Sequence, residues 1–184
     1  MISEDEVELV QRAAGGDHDA FRRLVQEHQV SVARVVTAMV GAGDDADDVG
    51  QETFVRFYRA LPSFRGESSV RTYLTRIAMN LSIDALARRR RWNRVLRFDT
   101  APEARQVEGP ASPSIEDEEL RAQVRDAVEK LDAKHRAVVV LRIMEDRTTR
   151  ETADLLGIPE GTVMSRLNRA LEKLQHPLSK LTEP

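Results

Sequence analysis

Apolar residues recur along this chain at helical spacing almost from end to end, and nowhere in convincing alternation. The first run begins at Ser3, where Ser3 and Glu6 have the spacing of a capping box, and stops at Gly15–Gly16. Asp17 is placed to cap the next helix, in which Phe21, Leu24, Val25, His28, Val32, Val35, Val36 and Met39 keep the helical period until Gly41 and Gly43. A third helix is predicted from about Asp45 to Leu61, stopping before Pro62. After the polar loop SFRGESS a fourth begins near Ser69, with Val70, Tyr73, Leu74, Ile77, Ala78 and Leu81 on one stripe and Met79, Ile83 and Leu86 on the opposite side. Residues 99–114 (DTAPEARQVEGPASPS) carry three prolines, a glycine and no apolar period, so they read as a linker. Beyond it, Ser114 is placed to cap a helix with Leu120, Val124, Ala127, Val128 and Leu131. Asp132 is placed to cap another, ending near Asp146. Short helices over 149–156 and 160–175 then flank Gly157–Ile158–Pro159, and Pro177 closes the last. The pattern predicts an all-α protein of two helical domains, 1–98 and 115–184, joined by a flexible Pro-rich linker.

Composition narrows the function. The 184 residues suffice for two small domains, and with aromatics at only 4% the cores must be built from Leu, Val, Ile and Ala. No apolar run approaches the ~18–20 residues of a membrane span, and the N-terminus is acidic where a signal peptide is basic. A cytoplasmic protein without membrane insertion is expected. Cysteine is absent, which excludes disulfides, thiolate metal sites and thiol nucleophiles. The histidines His18, His28, His135 and His176 are scattered, so no metal or cofactor is expected. Arg65–Gly66–Glu67 and Asp44–Asp48 offer charges, but no nucleophile–base pair or phosphate loop appears. Catalysis and a small-molecule substrate are therefore not expected.

The net charge of -3 conceals separated blocks. Residues 88–97 hold six arginines and no acid, whereas acids gather at 44–48 and 116–119. Blocks of opposite sign suit separate partners, and they equally suit solvated faces.

The segment 148–174 carries the strongest local signal. Thr148 and Glu151 form a second capping box, Ala153 and Leu156 give an inward face, Gly157 suits the left-handed end of a helix, and Pro159 starts the next one. In that next helix Val163, Leu167, Ala170 and Leu174 form a buried stripe. The other face shows Gly161, Ser165 and Asn168, flanked by Arg166 and Arg169. Small and hydrogen-bonding residues let a helix approach base edges, and flanking arginines reach phosphates or guanine. An ordinary helical hairpin with a charged outer face has the same pattern.

In the N-terminal half, helix 45–61 has Ala46, Val49, Thr53, Phe54, Phe57, Tyr58 and Leu61 on one side and Asp48, Gln51, Glu52 and Arg59 on the other, with Val55 among them. An apolar residue within a polar face suits a protein-binding patch. Gly50 falls on the apolar side, where a close helix approach would justify it. In the fourth helix Tyr73, Arg76, Asn80 and Asp84 run along one edge toward the arginine block and Trp92. Arginine with an interleaved aromatic suits phosphate contact plus base stacking; a lone Trp more commonly caps a core.

With these residues in view, the chain resembles the small extracytoplasmic-function (ECF) sigma factors of bacterial RNA polymerase. The resemblance is carried by DDADDVGQETFVRFYRAL (44–61), FRGESSVRTYLTRIAMNLSIDALARRRR (64–91), LDAKHRAVVVLRIMEDRTTRETADLLGI (131–158) and PEGTVMSRLNRALEKL (159–174), in that order, and covers about residues 9–175. It implies that residues 1–98 are a region 2 domain and 115–184 a region 4 domain, with a helix–turn–helix over about 148–171. By the resemblance, Asp48, Gln51, Glu52 and Val55 dock on core RNA polymerase, through its beta and beta-prime subunits. The loop Phe64, Arg65, Gly66, Glu67 and Ser68, with Tyr73, Arg76, Asn80, Asp84, Arg88 and Arg89, would meet the minus-ten element. Glu160, Gly161, Thr162, Met164, Ser165, Arg166, Asn168 and Arg169 would meet the minus-thirty-five element. The resemblance also implies promoter DNA and an anti-sigma factor as partners, and a linker threading toward the RNA exit path. The chain departs from the family pattern at Met164, where a Lys or Arg is frequent, at Gly50, usually a larger apolar residue, and at Tyr73, usually Trp. A helix–turn–helix repressor with an N-terminal sensory or dimerisation domain would share the C-terminal signal, but has no use for DDVGQETF or FRGESS.

Overall fold

The computed structural model describes residues 4–95 and 115–179. They form α1 (Glu4–Ala14), α2 (His18–Val40), α3 (Asp44–Ala60), a 3₁₀ turn (Leu61–Ser63), α4 (Val70–Val95), α5 (Ile115–Glu129), α6 (Ala133–Val139) continued by a π turn (Val140–Met144), α7 (Thr149–Leu156) and α8 (Glu160–Ser179), with no strand among the described residues. The caps expected at Ser3 and Ser114 and the spacer 99–114 lie outside the described residues.

In the N-terminal domain α2 lies against α1, α3 and α4, and α3 packs on α4. The core is mainly aliphatic: Leu24, Val35, Val36, Met39, Leu74 and Met79 are buried in one cluster with the fully buried Phe57. Local chemistry sets the boundaries. The Asp17 carboxylate accepts from the Asp19 and Ala20 amides at 2.9 and 3.0 Å, and Gly41 ends α2 at φ 88, a region open to glycine. No side chain caps α3, but Asp44, Asp45 and Asp47 fill its first turn. There they complement the positive end of the helix dipole, which gives the acidic block 44–48 a structural use.

Three expectations for α3 change. The helix ends at Ala60, and Leu61–Pro62–Ser63 tighten into the 3₁₀ turn. Tyr58, expected inward, is exposed at the rim, with its ring edge-on to Phe21 at 4.8 Å. No helix approaches Gly50: a Cβ there would meet nothing within 4 Å.

In the C-terminal domain Val138, Ala153 and Val163 join α6, α7 and α8, while Ala127, Val128 and Leu131 tie α5 to Val139, Ala170 and Leu174. Asp132 precedes α6 but makes no capping bond. Its carboxylate is drawn away by Arg90 and Lys173, each at 3.2 Å. The helix expected to run to Asp146 widens at Val140, where the Glu145 amide donates to the Val140 carbonyl at 2.9 Å. The Pro159 carbonyl accepts from Thr162 and Val163, so Pro159 precedes α8 rather than opening it, and α8 continues through Pro177 to Ser179.

The two domains pack on one another. α4 lies against α6 and α7, and α2 against α5, α6 and the π turn. Ala137, Val140, Leu141 and Leu155 join the apolar cluster of the N-terminal domain. Leu155 is thus the more buried of the α7 leucines, where Leu156 was expected. The second apolar side of α4 finds its use here, since Ile83 shares a cleft with Ala137 and Leu156.

Candidate nucleic-acid interface

On α3, Asp48, Gln51 and Val55 face solvent together, with Val55 41% exposed. Glu52 is half-buried and accepts from Arg56 Nε at 2.9 Å. Arg56 was not singled out from the sequence, although its position four residues after Glu52 is the signal for such a pair. The face is therefore a mixed-charge patch around one exposed aliphatic residue.

On α4, Arg76, Asn80, Asp84 and Arg88 follow one another at four-residue steps and all are exposed; Arg89 is exposed beside them. The preceding loop is pinned at both ends. Phe64 packs its ring against Phe57 and Tyr73, with centroids at 6.1 and 5.1 Å. Ser69 Oγ accepts from the Thr72 amide at 3.2 Å. Between the pins Arg65, Gly66 and Glu67 are exposed and Ser68 is half-buried, with Gly66 in a left-handed turn at φ 71. The structure thus divides the expected set. Arg65, Gly66, Glu67 and the α4 row present themselves outward, whereas Phe64 and Tyr73 face the core and hold the loop. Trp92 does not cap the core: it is 67% exposed, in a groove with Asp45, Ala85, Arg88, Arg89 and Arg91.

The helix–turn–helix is locally determined. Thr148 Oγ1 accepts from the Glu151 amide at 3.1 Å, and Glu151 Oε2 accepts from the Thr148 amide at 2.8 Å. The Thr148 amide, and the Thr148 hydroxyl that also donates to Oε2 at 2.7 Å, hold the Glu151 carboxyl below its ordinary pKa. Gly157 makes the turn at φ 63, ψ 38. α8 then buries Val163, Ala170 and Leu174 and exposes Glu160, Gly161, Met164, Ser165, Asn168 and Arg169, with Thr162 and Arg166 half-buried. Ser165 Oγ donates back to the Thr162 carbonyl at 3.1 Å, as serines in helices do. Met164 is 46% exposed, and its sulfur receives the Thr149 hydroxyl at 3.7 Å. Arg166 lines the interdomain cleft with Ile83 and Arg90.

Among the described residues, no group of three or more His, Cys, Asp or Glu is arranged to hold a metal ion, and no helix is long and apolar enough to cross a membrane. The arrangement offers exposed cations, amides and an aromatic ring in rows, which is chemistry for binding polyanions and bases.

Comparison with known proteins bears on both halves. The Sigma-70 region 2 family model matches residues 24–92, and the Sigma-70 region 4 family model matches residues 121–174. The ECF RNA polymerase sigma-E factor of Haemophilus influenzae is 34% identical over 181 residues, covering 94% of this chain and 95% of its own. That of Escherichia coli K12 is also 34% identical over 181 residues, covering 94% of each. Among solved structures, CnrH in complex with the cytosolic domain of CnrY is similar with a TM-score of 0.68 at 29% identity, over 96% of this chain and 99% of that one. The sigma factor RpoE, in complex with the anti-sigma factor NepR from Bartonella quintana, shares the fold with a TM-score of 0.69 at 20% identity, over 86% and 96%.

Proposed function

The chain belongs to the ECF sigma factors of RNA polymerase, which bind the core enzyme and direct promoter-specific transcription initiation, and from that premise we propose which of its surfaces does what. The region 2 domain is residues 1–98, the region 4 domain 115–184, and 99–114 links them. The exposed α3 patch of Asp48, Gln51, Glu52 and Val55 docks on the polymerase. The loop Arg65–Gly66–Glu67 and the row Arg76, Asn80, Asp84 and Arg88 meet single-stranded minus-ten DNA, while Phe64 and Tyr73 support the loop from within. Trapping an unstacked base offsets an extrusion cost of a few kcal/mol. The outer face of α8 reads duplex at minus-thirty-five. The chain works in the cytoplasm, catalyses no reaction of its own, and is held in check by an anti-sigma protein, as the complexes of CnrH with CnrY and of RpoE with NepR suggest.

The observation that carries this reading is the coexistence in one chain of an outward α4 row, a pinned loop before it and a capped helix–turn–helix. The test is in vitro transcription with purified core polymerase on a genomic library, with start sites mapped. Reversing charge at Asp48 and Glu52 together should weaken core binding in a titration while helicity is preserved. Unchanged affinity would remove the patch from the interface, and a chain that binds a palindrome alone as a dimer would be a repressor instead.

A further inference from the structure

Trp92 has no part in the surfaces proposed above. It is the only tryptophan of the chain and stands 67% exposed, although large aromatic rings are the side chains that burial favours most. Among the described residues, its groove of about 500 Å³ is lined by Ala85, Arg88, Arg89 and Arg91 of α4 and by Asp45 at the start of α3. That volume is in the ~300–1,000 Å³ range of small-ligand sites. Ala85, Arg88, Arg89 and Trp92 share one face of α4, three and four residues apart. The row Arg76, Asn80, Asp84 and Arg88 winds about 40° around the helix at each four-residue step. Its next step is Trp92, on the side where α3 begins. Among the described residues, none of Arg88, Arg89 and Arg91 forms an ion pair, so three cations stand unneutralised around one ring.

We propose that this groove is a nucleobase site: the Trp92 indole stacks on one base of the melted promoter strand, and Arg88, Arg89 and Arg91 hold the phosphates beside it. The site rests on the minus-ten reading above and adds a base contact at the end of the α4 row. The chemistry favours nucleic acid over the other occupants. A nucleotide offers a π-face to the ring and charge to the arginines at once. A protein partner would use contiguous apolar surface, and Ala85 is the one apolar neighbour of Trp92 among the described lining residues. A bare anion would meet the Asp45 carboxylate and leave the ring uncovered. Every base has a π-face, so Trp92 secures the strand without choosing its sequence.

Holoenzyme binding to a promoter with a pre-melted bubble separates base from phosphate. An abasic nucleotide, placed at one position at a time, keeps its phosphate and removes its base. In the parent, loss of the base that covers Trp92 should weaken binding about 5- to 150-fold, the range of one stacking contact. Trp92→Ala should weaken binding of the intact bubble by a similar factor and abolish the sensitivity at that one position, while other positions keep theirs. Trp92→Phe should restore most of the affinity. The salt slope should be the same in all three proteins, because stacking releases no counterions. An abasic profile unchanged in Trp92→Ala, with helicity intact, would overturn the nucleobase site. So would a loss of core polymerase affinity without any change in that profile, which would make Trp92 a polymerase contact. Asn80→Ala checks the underlying reading. If it loses sensitivity at a position of its own while Trp92→Ala loses none, the minus-ten surface stands and this site alone falls. If neither variant changes the profile, both fall.

Discussion

Gly50 occupies the interior of α3, where glycine costs about 1 kcal/mol relative to alanine, yet among the described residues nothing beyond its own helix turn lies within 4 Å of where its Cβ would stand. Gly50→Ala should therefore raise stability by about that amount in urea denaturation. If the variant is more stable but binds core polymerase less well, the glycine serves the approach of the partner. Met164 is a different departure from the family pattern. It stands exposed on α8 against Thr149 and offers no charge to a phosphate. Met164→Arg should steepen the salt dependence of promoter binding by the holoenzyme by roughly 0.9 log units per log unit of salt. Affinity should rise alike on most upstream sequences, because phosphate contacts position without specifying. An altered sequence preference with an unchanged slope would put position 164 at a base edge. His135 supplies a pH dependence. It is buried with neither ring nitrogen hydrogen-bonded. Burial first, then Lys173, lowers its pKa below the ordinary 6.5, with Asp132 opposing. The unfolded chain thus takes up a proton at this residue more readily than the folded one. Stability from this source is full above about pH 6.5 and is lost as pH falls below it. Asp132, lowered from 3.8 chiefly by Lys173, loses its contribution only in the more acidic carboxylate range. Urea midpoints at pH 7.5 and 5.5 should differ in the parent, and the difference should shrink in His135→Leu.

At the scale of elements, what was legible in the sequence was what residues a few positions apart decide between themselves. Asp17 caps α2, Thr148 and Glu151 cap each other, and Gly157 makes its left-handed turn, because each needs only neighbours. Asp132 has the right residue type for a cap and is diverted by Arg90, 42 positions earlier, and Lys173, 41 positions later. The same distinction divides the candidate site. The period of α4 places Arg76, Asn80, Asp84 and Arg88 on one outward row without help from any other element. It could not show that Phe64 and Tyr73 turn inward, since their burial comes from Phe57 on another helix. Asn80 is the residue of that row whose proposed contact with DNA is most directly tested. It is exposed, and among the described residues no side chain is hydrogen-bonded to it, so Asn80→Ala should leave thermal stability within about 0.5 kcal/mol. It should nevertheless slow open-complex formation on a linear template, with partial rescue on a pre-melted bubble. Transcription from a linear promoter at the parent rate would show that the row's contact with DNA does not include this amide.

At the scale of the whole molecule, a Pro-rich spacer suggested two independent domains, and the packing joins them. The second apolar side of α4 was visible as Met79, Ile83 and Leu86, but a period along one helix cannot say which distant segment covers it. Ala137, Val140, Leu141 and Leu155 extend the N-terminal core into the C-terminal domain. This has a thermodynamic consequence. If one domain melted alone, it would leave part of the other's buried aliphatic surface in water, at about 25 cal/mol for each Å² exposed. The coupling is then a few kcal/mol, which is comparable with the ~5–15 kcal/mol that stabilises a small domain. The free chain should unfold in one calorimetric transition with equal calorimetric and van't Hoff enthalpies. Leu141→Ala, at a fully buried position of the shared core, should cost about 2–5 kcal/mol. It should also broaden or split that transition, because it weakens the coupling as well as the C-terminal domain. A fragment of residues 115–184 should melt below the intact chain for the same reason. Two resolved transitions in the parent, with the lower one matching the fragment, would show that the shared apolar seam does not bind the domains into one cooperative unit.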